Sequence, residues 1–577
     1  MDTKKKTLAL VFVLAVFAGL IYIYPDLRFV QEAGNRYKGI VPIGFRDETV
    51  YLGRINAIYR GDFLARNPAI YEHRNDPVIM PTICESIEAL IGKALVLSVA
   101  QLDMLWTFLM PALIFILVFV FSYEISGVKW CSIAMAAGVL FGMHLASKIF
   151  IFGGKLINTG YHLPLWFARP ITPQMHFVFF TLALIFLYKA LNDGRKTFVW
   201  LAGIFLGSLF YVSVFYWMHI YATIGVLCIV FLAQKDLSAF RKAFAIAVIG
   251  AIVSVPYWMM NIQTMRDPNY GLLLLRFNVA YTHKPVLPVA TVAALAFLLL
   301  ARRAIVAVSG KRTFQFLAAM LAAVILLVNQ QVLTGRLFKE SHWTAYTGKF
   351  VLIITVILSV AALAKVLAAR RTRLAWLQVA LPALFFSALL VHGIGMQLNY
   401  HRHHFNDNLK LQQMAGAFRW LNANALPGDV ILPSPNDIRL SELIPIYTKS
   451  YVYYSEPFFC LSLISAGETR YRMLAAYRLF GLTLDEAVSH PYSWDGAIFL
   501  TGDSNRTREF METERKALVS RYKMMLSEDG LRLAKKYKVD YVVAVKGRDD
   551  DVIKDLLGAG FKTAYEDRYF SVIKVGG

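Results

Sequence analysis

The sequence predicts a polytopic α-helical membrane protein of about eleven transmembrane helices, amino terminus inside and carboxyl terminus outside, with an extracytoplasmic α/β domain at its carboxyl end. Three observations predict it. The 577 residues are 57% hydrophobic with a mean hydropathy of +0.51, too apolar for a soluble chain of this length. Nearly all long apolar runs fall in residues 1–399, whereas 400–577 have a mixed composition long enough for one globular domain. Basic residues recur in alternate short loops.

The predicted spans lie near 8–24, 104–122, 130–149, 175–191, 197–214, 217–233, 243–261, 286–301, 313–333, 348–368 and 374–396. Each approaches the ~20 residues that a helix needs to cross the hydrocarbon. The fifth and sixth form one apolar run, with the break expected at Tyr216–His219. The first follows Lys4-Lys5-Lys6 and has no small-x-small cleavage site before Asp26, so it reads as an uncleaved span. With those lysines inside, the cytoplasmic loops hold Lys129; Arg195 and Lys196; Lys235, Arg241 and Lys242; Arg302, Arg303, Lys311 and Arg312; and Arg370, Arg371 and Arg373. Segments 25–100, 150–174, 262–285, 334–347 and 397–577 then face outward. Chemistry there has no ATP to draw on, so an activated donor carried by a lipid is the natural energy source.

The net charge of +22 is not a nucleic-acid signal. Residues 400–577 carry 24 Lys and Arg against 22 Asp and Glu, while 1–399 carry 36 against 16. The excess belongs to loops beside the bilayer. Cys84, Cys131, Cys228 and Cys460 have neither zinc nor redox spacing.

The most informative loop is the first. Residues 47–62 read DETVYLGRINAIYRGD, and Tyr51, Ile55, Ile58 and Tyr59 recur at helical spacing, which predicts an amphipathic helix at the membrane interface. A second helix is expected over Thr82–Leu97, carrying Glu85 and Glu88. Asp47 has two compatible readings. Asp is a preferred N-cap, and a carboxylate here also suits taking a proton from an acceptor or binding a divalent cation.

One span, then a long outer loop with Asp47-Glu48, Tyr51 and a helix ending in Arg60-Gly61-Asp62, resembles the GT-C superfamily of integral-membrane glycosyltransferases. That superfamily includes protein O-mannosyltransferases, aminoarabinose transferases of lipid A and oligosaccharyltransferases. The resemblance implies a GT-C-like domain over 1–399 and a soluble domain over 400–577. It implies transfer of a sugar from a polyprenyl-phosphate-linked donor to a lipid, glycan or protein acceptor on the non-cytoplasmic face of the plasma (inner) membrane. Asp47 becomes the base or a metal-associated acid, with Glu48 and Tyr51 beside it; a divalent metal ion is the one cofactor allowed. No Trp-Trp-Asp motif stands in the tail, which argues against an oligosaccharyltransferase proper.

Other outer loops supply cations. Residues 150–176 hold Lys155, His162, Arg169, Gln174 and His176, and Pro170 and Pro173 oppose a regular helix. The planar fork of Arg169 suits a carrier phosphate. Residues 334–347 bring Arg336, Lys339, Glu340, His342 and Trp343 together; Arg336 is a second expected phosphate clamp, with Glu340 and His342 beside the substrate. His401-Arg402-His403-His404 reads as a juxtamembrane cluster rather than a metal site, and His219 as a packed polar residue.

In the tail, strands are expected at Val430–Leu432, Ser450–Tyr454 and Val539–Val545, with a closing hairpin of Phe561–Glu566 and Tyr569–Val575. Helices are expected between them, so the domain reads as α/β. It shows no GxGxxG, P-loop or triad spacing, and acceptor binding or capping is its expected role. Two other classes stay open: a transporter or cell-envelope assembly component, and a polysaccharide polymerase or ligase of another fold. The absence of internal repeats and of mid-membrane charge argues against a transporter.

Overall fold

The computed structural model describes residues 3–44, 47–150, 163–277, 279–339, 342–370, 376–489 and 505–576. The chain forms two compact units. One comprises residues 1–29, 103–258 and 282–404; the other comprises 30–102, 259–281 and 405–577.

The first unit is helical. Among the described residues, seven helices are long and apolar enough to cross a membrane, and Leu237–Val253 with Val255–Met265, bent by 51°, form a broken span or a re-entrant pair. Lys129–Leu145, Lys196–Tyr211 and Val289–Leu300 are shorter apolar helices. A helix therefore stands at every predicted span, as expected where the backbone has no water to bond. The break in the fifth-sixth run falls earlier than expected. It lies at a tight turn, Leu209–Tyr211, and at extended Ser213, and the next helix begins at Val214. Tyr216 and His219 resemble loop residues in sequence but pack inward within that helix, against the ring of Phe180 at 4.8 and 5.8 Å.

Small residues set the close approaches. A Cβ on Gly203 or Gly207 would come within 2.5 Å of Ile249 or 2.4 Å of Val253, so this GxxxG face seats the Lys196–Ser208 helix directly on Leu237–Val253. Gln397 supplies a polar pin. It is 1% exposed, donates through Nε2 to the Tyr22 carbonyl at 2.9 Å, and accepts from the Leu165 amide at 3.2 Å. One side chain of the last span thus holds both the first span and the 163–167 segment.

In the second unit a five-stranded sheet runs in the order Tyr451–Val452, Val430–Pro433, Tyr541–Val545, Phe570–Lys574, Lys562–Glu566. The first three strands are parallel; the last two form the expected antiparallel hairpin. The first outer loop is bound to this tail. Gln412 Oε1 accepts from the Lys38 and Ile40 amides at 3.0 and 3.2 Å, and the Val452 amide donates to the Ala69 carbonyl at 2.7 Å.

A charged knot joins the same partners. Arg472, with a fully buried side chain, pairs with Glu72 at 2.9 Å and Glu468 at 2.8 Å and stacks over the Tyr537 ring at 3.7 Å. His73 bridges Asp76 at 2.7 Å and Glu468 at 3.0 Å. Burial opposes the His73 charge, but hydrogen bonds to both carboxylates outweigh it and hold the imidazole up at about 9. The folded value lies above the ordinary 6.5, so this contribution is complete below 6.5 and disappears as pH rises through 9. Thermal melts from pH 6 to 10 should show wild-type stability falling through this window relative to His73→Gln; parallel curves would remove the bridge from the account.

Candidate active site

Asp47 is the residue before the Glu48–Tyr59 helix, and its backbone is already helical at φ −70° and ψ −16°. Its side chain makes no capping bond, so the capping role expected from sequence is not the one it plays. It is half-buried, while Glu48 is 7% exposed and accepts from the Gly44 amide at 3.3 Å. Glu48 thus braces the turn that delivers Asp47. Tyr51, one turn on, is half-buried.

The helix itself corrects a second expectation. It is not an interfacial amphipath: Thr49, Val50, Leu52, Gly53, Arg54, Ile55, Ala57 and Ile58 are all buried. The reason is polar partners distant in sequence. Arg54 Nη1 donates to Glu85 Oε1 at 3.2 Å, and both side chains are 3% exposed. Asn56 Nδ2 donates to the Pro445 and Thr448 carbonyls at 2.8 and 2.7 Å. Gly53 admits the tail closely, since a Cβ there would come within 2.7 Å of the Phe458 ring. Behind Arg54, burial pushes the Glu85 carboxyl up despite that partner. Glu88 is fully buried, with neither oxygen hydrogen-bonded; burial first, and then Glu85, push it well above the usual carboxylate range. The Ile83–Ala94 helix is therefore a buttress for the Asp47 helix.

The cations expected to meet a phosphate lie in the membrane unit. Arg169 is half-buried just before the Pro170–Met175 segment, which is kinked at extended Thr172 (φ −120°, ψ 113°) and leads into the His176–Asn192 helix. Buried His176 is within its electrostatic reach, and the Thr172 hydroxyl lies 3.2 Å from His176 Nδ1. Gln174 is fully buried. Arg336 is exposed on a short strand, Arg336–Phe338. His342 packs against Phe215 and Tyr346, with ring centroids at 5.1 and 5.4 Å. Lys155, His162 and Glu340 lie outside the described residues.

Sequence reasoning missed Lys349. It opens the Lys349–Arg370 helix, is only 7% exposed, and sits 4.7 Å from the centre of the Trp166 ring. Trp166 in turn meets Tyr346 and His144, at 5.6 and 6.3 Å. His144 is within electrostatic reach of Lys349 and of His392. A continuous aromatic layer, Trp166–Tyr346–Phe215 with His342, thus holds a covered ammonium at the predicted outer end of a span. Its signal was a lysine at the head of an apolar run, which reads in sequence as a snorkelling boundary residue.

Glu48 is engaged by backbone, and among the described residues no group of three or more His, Cys, Asp or Glu is placed to hold an ion. The Leu377–Leu411 helix carries His401 buried and His403 exposed, so the histidine cluster splits around the helix. These donors do not form a metal set, and no step below passes through one.

Comparison with known proteins places the fold. No protein-family model and no curated protein sequence matches the chain. The chain is similar in structure to ArnT from Cupriavidus metallidurans bound to undecaprenyl phosphate, with a TM-score of 0.51 at 10% identity, covering 98% of this chain and 97% of that one. The apo form of that ArnT gives 0.49 at 11% identity, covering 99% and 98%. An oligosaccharyltransferase from Archaeoglobus fulgidus gives 0.43 at 12%, covering 94% of this chain and 70% of that one. Over nearly its whole length, then, the chain shares the fold of that ArnT.

Proposed function

We propose that this protein is a membrane glycosyltransferase that moves a sugar from a polyprenyl-phosphate-linked donor to an acceptor on the non-cytoplasmic face. The single supporting observation is a rigidly braced Asp47, not used as a helix cap, on a chain whose fold matches a protein bound to undecaprenyl phosphate. Asp47 takes the proton from the acceptor hydroxyl or amine as that atom bonds to the anomeric carbon. The bond from that carbon to the phosphate oxygen breaks, and the polyprenyl phosphate leaves with the electron pair. Positive charge at the phosphate stabilises this leaving group, and Arg169, Arg336 and the covered Lys349 are the cations assigned to it; Tyr51 and His342 line the substrate.

The test is turnover by the full chain in liposomes, supplied with a panel of polyprenyl-phosphate sugars. Release of polyprenyl phosphate from at least one donor is expected; no consumption of any, by protein that binds the carrier, overturns the reading. Lys349→Met should weaken binding of undecaprenyl phosphate about tenfold or more, because it removes a desolvated charge. Unchanged affinity would take Lys349 out of the phosphate site.

A further inference from the structure

A cationic cavity lies in the membrane unit, on the face that loop charges predict to be cytoplasmic. Its volume is about 520 Å³, and Arg302, Arg303, Lys311, Phe314, Gln234 and Gln315 line it. We propose that it binds the headgroup of an anionic phospholipid of the cytoplasmic leaflet, of the phosphatidylglycerol type.

Backbone geometry assembles the cations. Arg302 and Arg303 open a helix that breaks at Gly310, whose φ of 88° and ψ of 162° suit glycine. The break turns Lys311 back onto the cavity already lined by the two arginines. Arg302 lies over the Phe314 ring at 5.6 Å, which leaves its guanidinium edge for an anion. The carboxylate across the loop does not neutralise this set: Asp236 accepts from the Ala239 amide and is paired with Arg312.

Two further features select a lipid over a free anion. Leu299 and Leu300, immediately before Arg302, are 54% and 84% exposed, so the chain enters the cavity from a surface that faces acyl chains. Gln315 is 6% exposed; its Nε2 donates to Gln234 Oε1 at 2.8 Å, which leaves Gln315 Oε1 buried without a partner. A buried acceptor asks for a donor, and phosphate ester oxygens offer none. The hydroxyls of a glycerol headgroup do. Phosphate on the cations and hydroxyl on Gln315 together describe a phosphoglycerol.

The experiment uses the full-length protein in detergent, with lipid retention read by native mass spectrometry and unfolding read by thermal shift. Phosphatidylglycerol, phosphatidylcholine and inorganic phosphate are the three arms. Phosphatidylglycerol should be retained and raise the unfolding temperature; the other two should not. Arg302→Gln with Arg303→Gln should weaken retention about tenfold or more, at about 1 kcal/mol per surface cation. Gln315→Leu should weaken retention of phosphatidylglycerol, because it removes the acceptor for the headgroup hydroxyls. Both variants change residues outside the proposed reaction, so transfer activity reports their folding. Lys311→Gln repeats the test where the double variant unfolds. Equal retention by wild type and the folded variants overturns the proposal, as does an equal shift from inorganic phosphate, or from phosphatidylcholine.

Discussion

Asp47→Asn should lower sugar transfer by roughly 10²–10⁴-fold while leaving the protein folded and its affinity for undecaprenyl phosphate unchanged. The substitution keeps shape and removes the proton acceptor. Ordinarily an Asp at the head of a helix contributes about 1 kcal/mol as a cap, and its loss would confound activity with stability. Here the side chain makes no cap bond, and the turn is held instead by Glu48 on the Gly44 amide. Activity and stability therefore separate at this position. Glu48→Gln is the contrast: it weakens the brace, so it should lower activity by displacing Asp47 and lower the unfolding temperature as well. Wild-type turnover by Asp47→Asn would remove the base from the mechanism and leave only the fold in support of a transferase.

Helix positions were legible because a membrane span must be both apolar and self-satisfied in hydrogen bonds, and that demand is written in the long apolar runs within Val99–Ser126 and Arg302–Leu327. The tail strands were legible for a similar local reason. Tyr541–Val545 is a near-continuous apolar run because it is the central strand of the sheet and its residues 541–544 are buried. Asp47-Glu48 stands out in the sequence as a candidate because acids are rare in that part of the chain.

Burial of the Asp47 helix was not legible. Periodicity assigns Arg54 and Asn56 to water because they are polar, yet Glu85 and the Pro445 and Thr448 carbonyls satisfy them inside the protein. Those partners stand 31, 389 and 392 residues away, and no local pattern announces them. Lys349 was hidden by the same logic. A charge at the end of an apolar run normally reaches for water, and only the Trp166 ring, from a different loop, shows that this one is covered. The length of the run shows that it must break but not where: the chain turns at Leu209–Tyr211, and Tyr216 and His219 face other helices.

The second large effect belongs to Arg472. Arg472→Met should lower stability by about 3–5 kcal/mol, since breaking a buried ion pair strands the partner charges. Three acceptors lose the guanidinium together: Glu72 Oε2, the Tyr453 carbonyl at 3.2 Å, and Glu468 Oε1, which keeps only His73. Lysine does not substitute, because a single ammonium cannot reach three divergent acceptors or stack on Tyr537 as the planar guanidinium does. The loss should also be local before it is global. Glu72 belongs to the first outer loop and Glu468 to the tail, so hydrogen exchange should quicken in residues 69–76 and 466–479 of Arg472→Met below its unfolding temperature. Since that loop carries Asp47, transfer activity should decline with it, and Arg472→Lys should recover little of either. If Arg472→Met melts with the wild type and keeps its protection in both segments, the knot is a by-product of packing, and the remaining bonds, those of Asn56, Gln412 and the Val452 amide among them, hold the loop to the tail.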